Sequence, residues 1–395
     1  MGDKMNTYFA DLHIHIGRTE SGRPVKITGS KSLTIDSILR EASQEKGLDL
    51  IGVIDCHVPE VIQTLKQRVS NGDCTELTEG GVRFERTTLL LGCELEINDQ
   101  LSSGPIHVLA FLPTLTSMEK FSNWLSTKMK NHHLSSQRIY TSGLDVQKMV
   151  KSLQGLFIPA HIFTPFKSLY GSGVKQSLTE VFDPNKIDAV ELGLSSDTKM
   201  AAQIKELDSF TFLTNSDAHS LGKIGREYQQ LRLKDCNFNE FAMALKNELG
   251  RTILANYGLK PQIGKYHQTT CEKCISPKSR DENTCLQCGH HRFVKGVSER
   301  LKELSNTDTY SPLRERPPYI HQVPLEYLPG LGPKTLMKLK DHFGTEMNIL
   351  HHVPSEQLLK AVPEKIAKLI IAARTGGLTF QTGGGGLYGK VVDQK

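Results

Sequence analysis

Seven short apolar runs each carry or lead into side chains able to bind a divalent metal ion. The run from Tyr8 carries Asp11, His13 and His15, and Leu48 to Ile54 leads into Asp55 and His57. Leu89 to Leu91 precedes Glu94 and Glu96, and Ile106 to Leu112 contains His107. Leu156 to Ile158 leads to His161, Ala189 to Leu194 contains Glu191, and Phe210 to Leu213 leads to Asp217 and His219. One such side chain beside one strand is ordinary. Their recurrence beside nearly every run points to imidazoles and carboxylates gathered around several divalent ions, with zinc, magnesium and manganese as the candidates.

The elements that must position them follow from the spacing. Side chains alternate faces along a strand, so Asp11, His13 and His15 point the same way. Apolar runs that alternate with helical stretches, such as Leu33 to Glu45, Met118 to Lys130 and Leu144 to Leu153, suggest parallel strands in βαβ units. In a closed β/α barrel the catalytic residues stand at the strands' C-terminal ends, so all seven ends would meet at one mouth. Two long loops belong there: Gly17 to Thr34, with Arg18, Glu20, Arg23, Lys26 and Lys31, and Thr164 to Asp183. In the second, Lys167 suits phosphate contact and Tyr170 suits base stacking.

The remaining chain carries two further devices. Cys271-x2-Cys274 and Cys285-x2-Cys288 are separated by ten residues, and four thiolates complete a closed tetrahedral site for one structural zinc. His290, His291, Arg292 and Lys295 follow directly and form a basic edge. Leu328-Pro-Gly-Leu-Gly-Pro then leads into Lys334 and Thr335. Gly330 and Gly332 would permit a tight hairpin with positive φ, and amides at the next helix start, with Lys334, could hold a phosphate. This resembles the helix-hairpin-helix motif, with Val362 to Ala373 as a weaker second copy.

Composition limits the partners. Residues 256–395 hold 20 Lys and Arg against 13 Asp and Glu within a chain of net charge +5, so an acidic body carries a basic tail suited to a polyanion. No apolar stretch reaches the ~18 residues of a membrane span, and Met1 to Asn6 has no signal-peptide core. Four of the 8 cysteines are scattered and four form the CxxC pairs, which suits a reducing cytoplasm. The expected domains are a barrel at 1–255, a zinc-binding segment at 256–300 and a helical nucleic-acid-binding region at 301–395. Within the last two, 297–304 is expected as a linking helix, 311–324 as an extended linker and 383–386 as a glycine run.

Asp11-Leu-His13-Ile-His15, His107, His161 and Ser216-Asp217-Ala218-His219 resemble the polymerase and histidinol phosphatase (PHP) superfamily. That resemblance implies an α/β fold, a distorted seven-stranded β/α barrel, with up to three divalent ions and phosphoesterase chemistry. It places ligands at His13, His15, Asp55, Glu94, His107, His161, Asp217 and His219, with Asp11, Glu20, His57, Glu96 and Glu191 as further candidates. Asp217, His219, Glu94 and His161 would carry the reaction. Many members have Asp-His adjacent, whereas here Cys56 intervenes, so Asp55 is favoured over His57. The full order of barrel, ribbon and hairpin resembles the endonuclease Q family. This implies a monomeric repair enzyme that nicks DNA 5′ of uracil, hypoxanthine, xanthine and abasic sites. The alternatives are a small-molecule phosphatase of the histidinol phosphate type and a DNA-binding accessory with a degenerate metal site.

Overall fold

A computed structural model describes residues 4–264, 266–279, 283–305, 314–381 and 390–392. The glycine run 383–386 and residues 311–313 of the expected linker lie outside the described residues. The first twelve strands are β1 (Asn6–Ile14), β2 (Leu50–Val53), β3 (Thr75–Glu76), β4 (Val82–Phe84), β5 (Thr87–Ile97), β6 (Ile106–Leu112), β7 (Arg138–Ile139), β8 (Leu156–Pro159), β9 (Ala189–Glu191), β10 (Thr211–Leu213), β11 (Tyr228–Leu233) and β12 (Thr252–Gly258). Helices α1 (Ile35–Arg40), α2 (Pro59–Ser70), α3 (Leu115–Ser126), α4 (Gly143–Ser152), α5 (Thr198–Ala201) and α6 (Phe238–Lys246) lie between them. α3 starts at Leu115 because Thr114 and Ser117 form a reciprocal capping box.

The strands β1, β2, β5, β6, β8, β9 and β10 surround one inner core, to which Leu12, Leu50, Leu90, Leu109, Ile158, Ala189 and Leu213 contribute. Ladders run from β1 through β2, β5 and β6 to β8, and a separate ladder joins β9 to β10. Isolated backbone hydrogen bonds close the gaps: the Asp188 and Ile162 N–H groups donate to the Phe157 and Glu191 carbonyls, and Ile14 bridges to Ala218. The α/β fold is therefore a distorted barrel with interrupted pairing. β11 continues the sheet beyond β1, and β12 beyond β11.

The expectation of parallel strands fails at β6, which runs antiparallel to both β5 and β8. Only residues 98–105 join β5 to β6, too few for the dozen or more that a parallel crossover needs. The reversal still serves the site. Glu96 pairs with His107 in the register, so the start of β6 lies beside the end of β5.

A ribbon follows the barrel, with β13 (Thr270–Cys271) antiparallel to β14 (Phe293–Val294), and then α7 (Val297–Leu304) as expected. β15 (Tyr319–His321) adds to the edge of β12, so the main sheet extends past the boundary expected at 255 and takes a strand from the C-terminal region. Helices α8 (Pro333–Phe343), α9 (Glu346–His351), α10 (Ser355–Ala361) and α11 (Glu364–Arg374) complete the described helices. They pack on the barrel near the start of β1: His351 stacks on Phe9 at 4.4 Å, and Lys46 donates to both Glu346 oxygens at 3.0 and 3.1 Å. His13 and His15 stand at the opposite end of that strand, leaving the mouth open.

Candidate metal centre

Three groups of ligand atoms share the mouth: His13, His15 and Glu94; Glu94, His107 and His161; and His15, Asp217 and His219. Glu94 joins the first two. Its Oε1 lies 3.5 Å from His13 Nε2, 2.9 Å from His107 Nδ1 and 3.6 Å from His161 Nε2. Asp217 Oδ1 lies 3.5, 3.4 and 3.3 Å from Nε2 of His13, His15 and His219. These seven side chains come from the end of β1, from β5 and β6, from the end of β8 and from the loop after β10, and the structure gathers them.

Buried carboxylates aim the imidazoles. Glu191 accepts from His13 Nδ1 at 2.9 Å, from the His161 N–H at 2.9 Å and from Asn215 at 2.8 Å. Asp55 Oδ2 lies 3.2 Å from His15 Nδ1 and accepts from the Ile16 N–H. An ionised carboxylate can only accept, so each Nδ1 carries the proton and each Nε2 lone pair points into the cluster. Both Nε2 atoms are buried without a hydrogen-bond partner. Metal ions would satisfy these orphaned nitrogens, so the residues fit the expected centre.

The electrostatics fit as well. Burial alone would raise the Glu94 carboxyl, but His107, Lys26 and His13 outweigh it and hold it well below the usual carboxylate range. Burial of Asp217 is likewise overcome by His13, His15 and His219, and its pKa falls well below the usual value. His13 moves the opposite way: Glu191 and Asp217 outweigh burial and hold it well above its ordinary value. A metal ion would replace that proton, so ligation should release protons and strengthen as pH rises.

Several expected ligands lie outside these three groups. Asp55 is a support for His15, not a member of any ligand group. Asp11 is fully buried and accepts from the amides of His13, Ser216 and Gly225, fixing the loop that bears Asp217; burial raises it to about 6 despite those donors. Glu20 lies on the surface, where it accepts from the Asp36 N–H in the first turn of α1. Glu96 pairs with Lys167 at 2.8 Å, and His107 and Lys167 hold it at about 2. His57 is wholly buried, outside the ligand groups, and burial lowers its pKa. Tyr170 cannot be a stacking surface as placed: it is 0% exposed, lies against Phe163 and donates its hydroxyl to Glu206.

Ser135 and Ser136 carried no sequence signal, whereas Lys26 lies in the loop 17–34 expected at the mouth. Lys26 donates to Ser136 at 2.6 Å and lies 3.4 Å from Glu94 Oε2, and Ser135 contacts His15 Nδ1 at 3.1 Å. With Lys167, Phe166 and the gathered side chains other than His13 they line an open cleft of about 470 Å³. Ser136, His161, Lys167 and Asp217 all hold left-handed backbone, with φ of 53, 30, 54 and 46°. Such costly conformations in non-glycine residues cluster where geometry serves function.

The four ribbon cysteines also meet, with Sγ atoms 3.6 Å apart for Cys271 and Cys288 and 3.5 Å for Cys274 and Cys285. In the hairpin only Gly330 has positive φ, at 83°. Gly332 is extended at −74° and precedes α8, whose first turn exposes Lys334 beside Thr335.

The geometry can be set against known proteins. No protein-family model matches the chain. It is 60% identical over 387 residues to the uncharacterized protein YqxK of Bacillus subtilis, covering 98% of this chain and all of that one. The lesion-specific endonuclease PfuEndoQ of Pyrococcus furiosus is 31% identical and superposes with a TM-score of 0.83 over 98% of this chain and 95% of its own. The chain belongs to the endonuclease Q family. A second endonuclease Q structure, in complex with a 27-mer duplex carrying an abasic lesion at its active site, matches with 30% identity and a TM-score of 0.83 over 99% of this chain and 97% of that one. The family assignment thus spans barrel, ribbon and C-terminal helices together.

Replacing Cys271 by serine is expected to remove one zinc ion per chain and to unfold the ribbon, because such small modules fold with their metal. The barrel's metals should be retained. Elemental analysis of the wild type and the variant checks this, and an unchanged zinc content would refute a four-cysteine site.

Proposed function

We propose that this chain is a metal-dependent endodeoxyribonuclease that nicks one DNA strand at a damaged nucleotide, 5′ of uracil, hypoxanthine, xanthine or an abasic site. The observation that carries the reading is the open mouth itself: three groups of metal-ligand atoms at the floor of a cleft, in a chain of the endonuclease Q family. A related structure of that family holds an abasic duplex. Divalent ions there would activate water and neutralise charge on a phosphodiester. Zinc, magnesium and manganese all suit the nitrogen and oxygen donors, and one structural zinc suits the ribbon.

The chain's own residues divide the remaining work. Glu191 and Asp55 orient His13 and His15. Lys26 and Lys167 place positive charge on the walls, where a phosphate would enter. Asp217 and His219 have the most exposed side chains of the ligand set, at 35 and 36%, so they face the substrate. There Asp217 and His219 would hold, with His15, an ion that faces the phosphodiester. The ribbon, with Arg292 and Lys295, and the hairpin at Lys334 and Thr335 grip DNA phosphates. This reading places the protein in the cytoplasm, acting as a monomer, and among the described residues no helix is long and apolar enough to cross a membrane.

The test is direct. Labelled duplexes with one uracil, hypoxanthine, xanthine or abasic site are incubated with the protein and each divalent metal in turn. A single cut 5′ of the lesion, abolished by chelation, is the expected result. Intact duplexes under every metal, with release of phosphate from histidinol phosphate, would replace this reading with the phosphatase.

A further inference from the structure

The excursion between α3 and α4 carries a basic face outside the ligand groups. Residues 128–130 run back along 138–140: Met129 bridges antiparallel to Ile139, and the Tyr140 N–H donates to the Lys128 carbonyl at 2.8 Å. Met129 and Ile139 are buried, so period-two alternation puts Lys128, Lys130, Arg138 and Tyr140 on the outer side. Tyr140 is 50% exposed, with Lys130 Nζ 5.6 Å and the Arg138 guanidinium 5.3 Å from its ring centre. Such cation–π contacts hold two flexible cations together on one surface. Among the described residues none of the three cations is in an ion pair, so their charge is uncompensated.

This face is rigidly tied to the cleft. Arg138 and Ile139 pair in parallel with Glu96 and Ile97 of β5, the strand that carries Glu94. Between the two rungs, Ser135, Ser136 and Gln137 dip down to line the cleft wall. A duplex with its scissile phosphate at the cluster would present its neighbouring phosphates to the same wall.

We propose that Lys128, Lys130, Arg138 and Tyr140 form a backbone-phosphate clamp on the barrel, which binds the DNA flank next to the cleavage cleft independently of lesion and of the C-terminal region. The inference rests on the DNA reading above and adds a contact surface to it. A phosphate-only contact carries no sequence information, so it should act equally on damaged and undamaged duplexes.

The experiment compares full-length wild type, Lys130→Ala/Arg138→Ala and Tyr140→Ala. Dissociation constants are measured for abasic and undamaged duplexes at several salt concentrations, together with single-turnover nicking at saturating protein. In the double variant both dissociation constants should rise by the same factor, and the log–log salt slope should flatten by about two units. Tyr140→Ala should give a smaller loss, since the cations remain but are no longer held together. Nicking at saturation should be unchanged. Trimming the duplex on one side of the lesion should lower wild-type affinity to that of the double variant and leave the variant unaffected. A wild-type salt slope in a double variant with wild-type melting temperature overturns the clamp, and so does a loss confined to the abasic duplex. If wild type nicks no lesion while the double variant still loses duplex affinity, the nuclease reading falls and the clamp stands.

Discussion

Glu94→Gln is expected to abolish strand cleavage and leave the fold in place. Glu94 is the one carboxylate common to two ligand groups, and it is held ionised by the histidines and by Lys26 around it. Glutamine keeps the shape and removes the charge. Both groups then lose their anionic donor, and the imidazoles lose the charge that balances a bound ion. A supporting residue such as Glu191 should cost about 10–100-fold in metal affinity when its carboxylate is removed. Loss of the shared ligand should exceed that range in both metal content and single-turnover rate. Circular dichroism should match wild type. Cleavage within a few-fold of wild type at full metal content would remove Glu94 from the centre.

The gathered side chains were legible because the signal was repeated and local. A His or acid following an apolar run needs no tertiary information to be noticed, and seven of the expected ligands do meet at the mouth. The supports were harder to read. Asp55 and Glu191 have the same residue types as ligands, and only the direction of each carboxyl oxygen separates a metal donor from a partner of an imidazole N–H. Glu20 looked available because its loop has no periodicity, but that loop folds back onto α1 and finds the Asp36 amide there. Tyr170 looked exposed in a glycine-rich loop. Its partner Glu206 is 36 residues away, and nothing local announces that contact. The direction of β6 was hidden because β5 continues past the apolar run to Ile97, which leaves only eight residues before Ile106 and excludes a parallel crossover. Ser136 belongs to a stretch with no pattern, and Lys26 is one of four cations in its loop, so their meeting at Glu94 is a tertiary fact.

A second large effect is expected from Glu227→Gln, on stability and with a defined dependence on pH. Glu227 begins the return from the loop that bears Asp217 and His219, and the Leu259 N–H donates to its Oε1 at 2.8 Å, tying that return to the end of β12. The side chain is fully buried and Oε2 has no hydrogen-bond partner. Burial is the main cause that raises its pKa from 4.5 to about 8, with Glu191 and Asp11 adding like charge. Below pH 4.5 the carboxyl is protonated in both folded and unfolded chains and behaves much as an amide. Between 4.5 and about 8 the unfolded chain ionises and the folded one does not, so the folded state binds the extra proton and loses stability as pH rises. Above about 8 the loss is complete. At ~1.4 kcal/mol per pH unit the penalty reaches about 3–5 kcal/mol. Glutamine cannot ionise and keeps the acceptor for Leu259, so the variant should melt well above wild type at pH 8 and close to it at pH 4.5. Denaturant unfolding of both proteins with metals removed, measured at these two pH values, reads the difference. A gain of equal size at both values would mean that packing, not ionisation, is responsible, and a loss at pH 8 would show that Glu227 is held there as a stabilised anion.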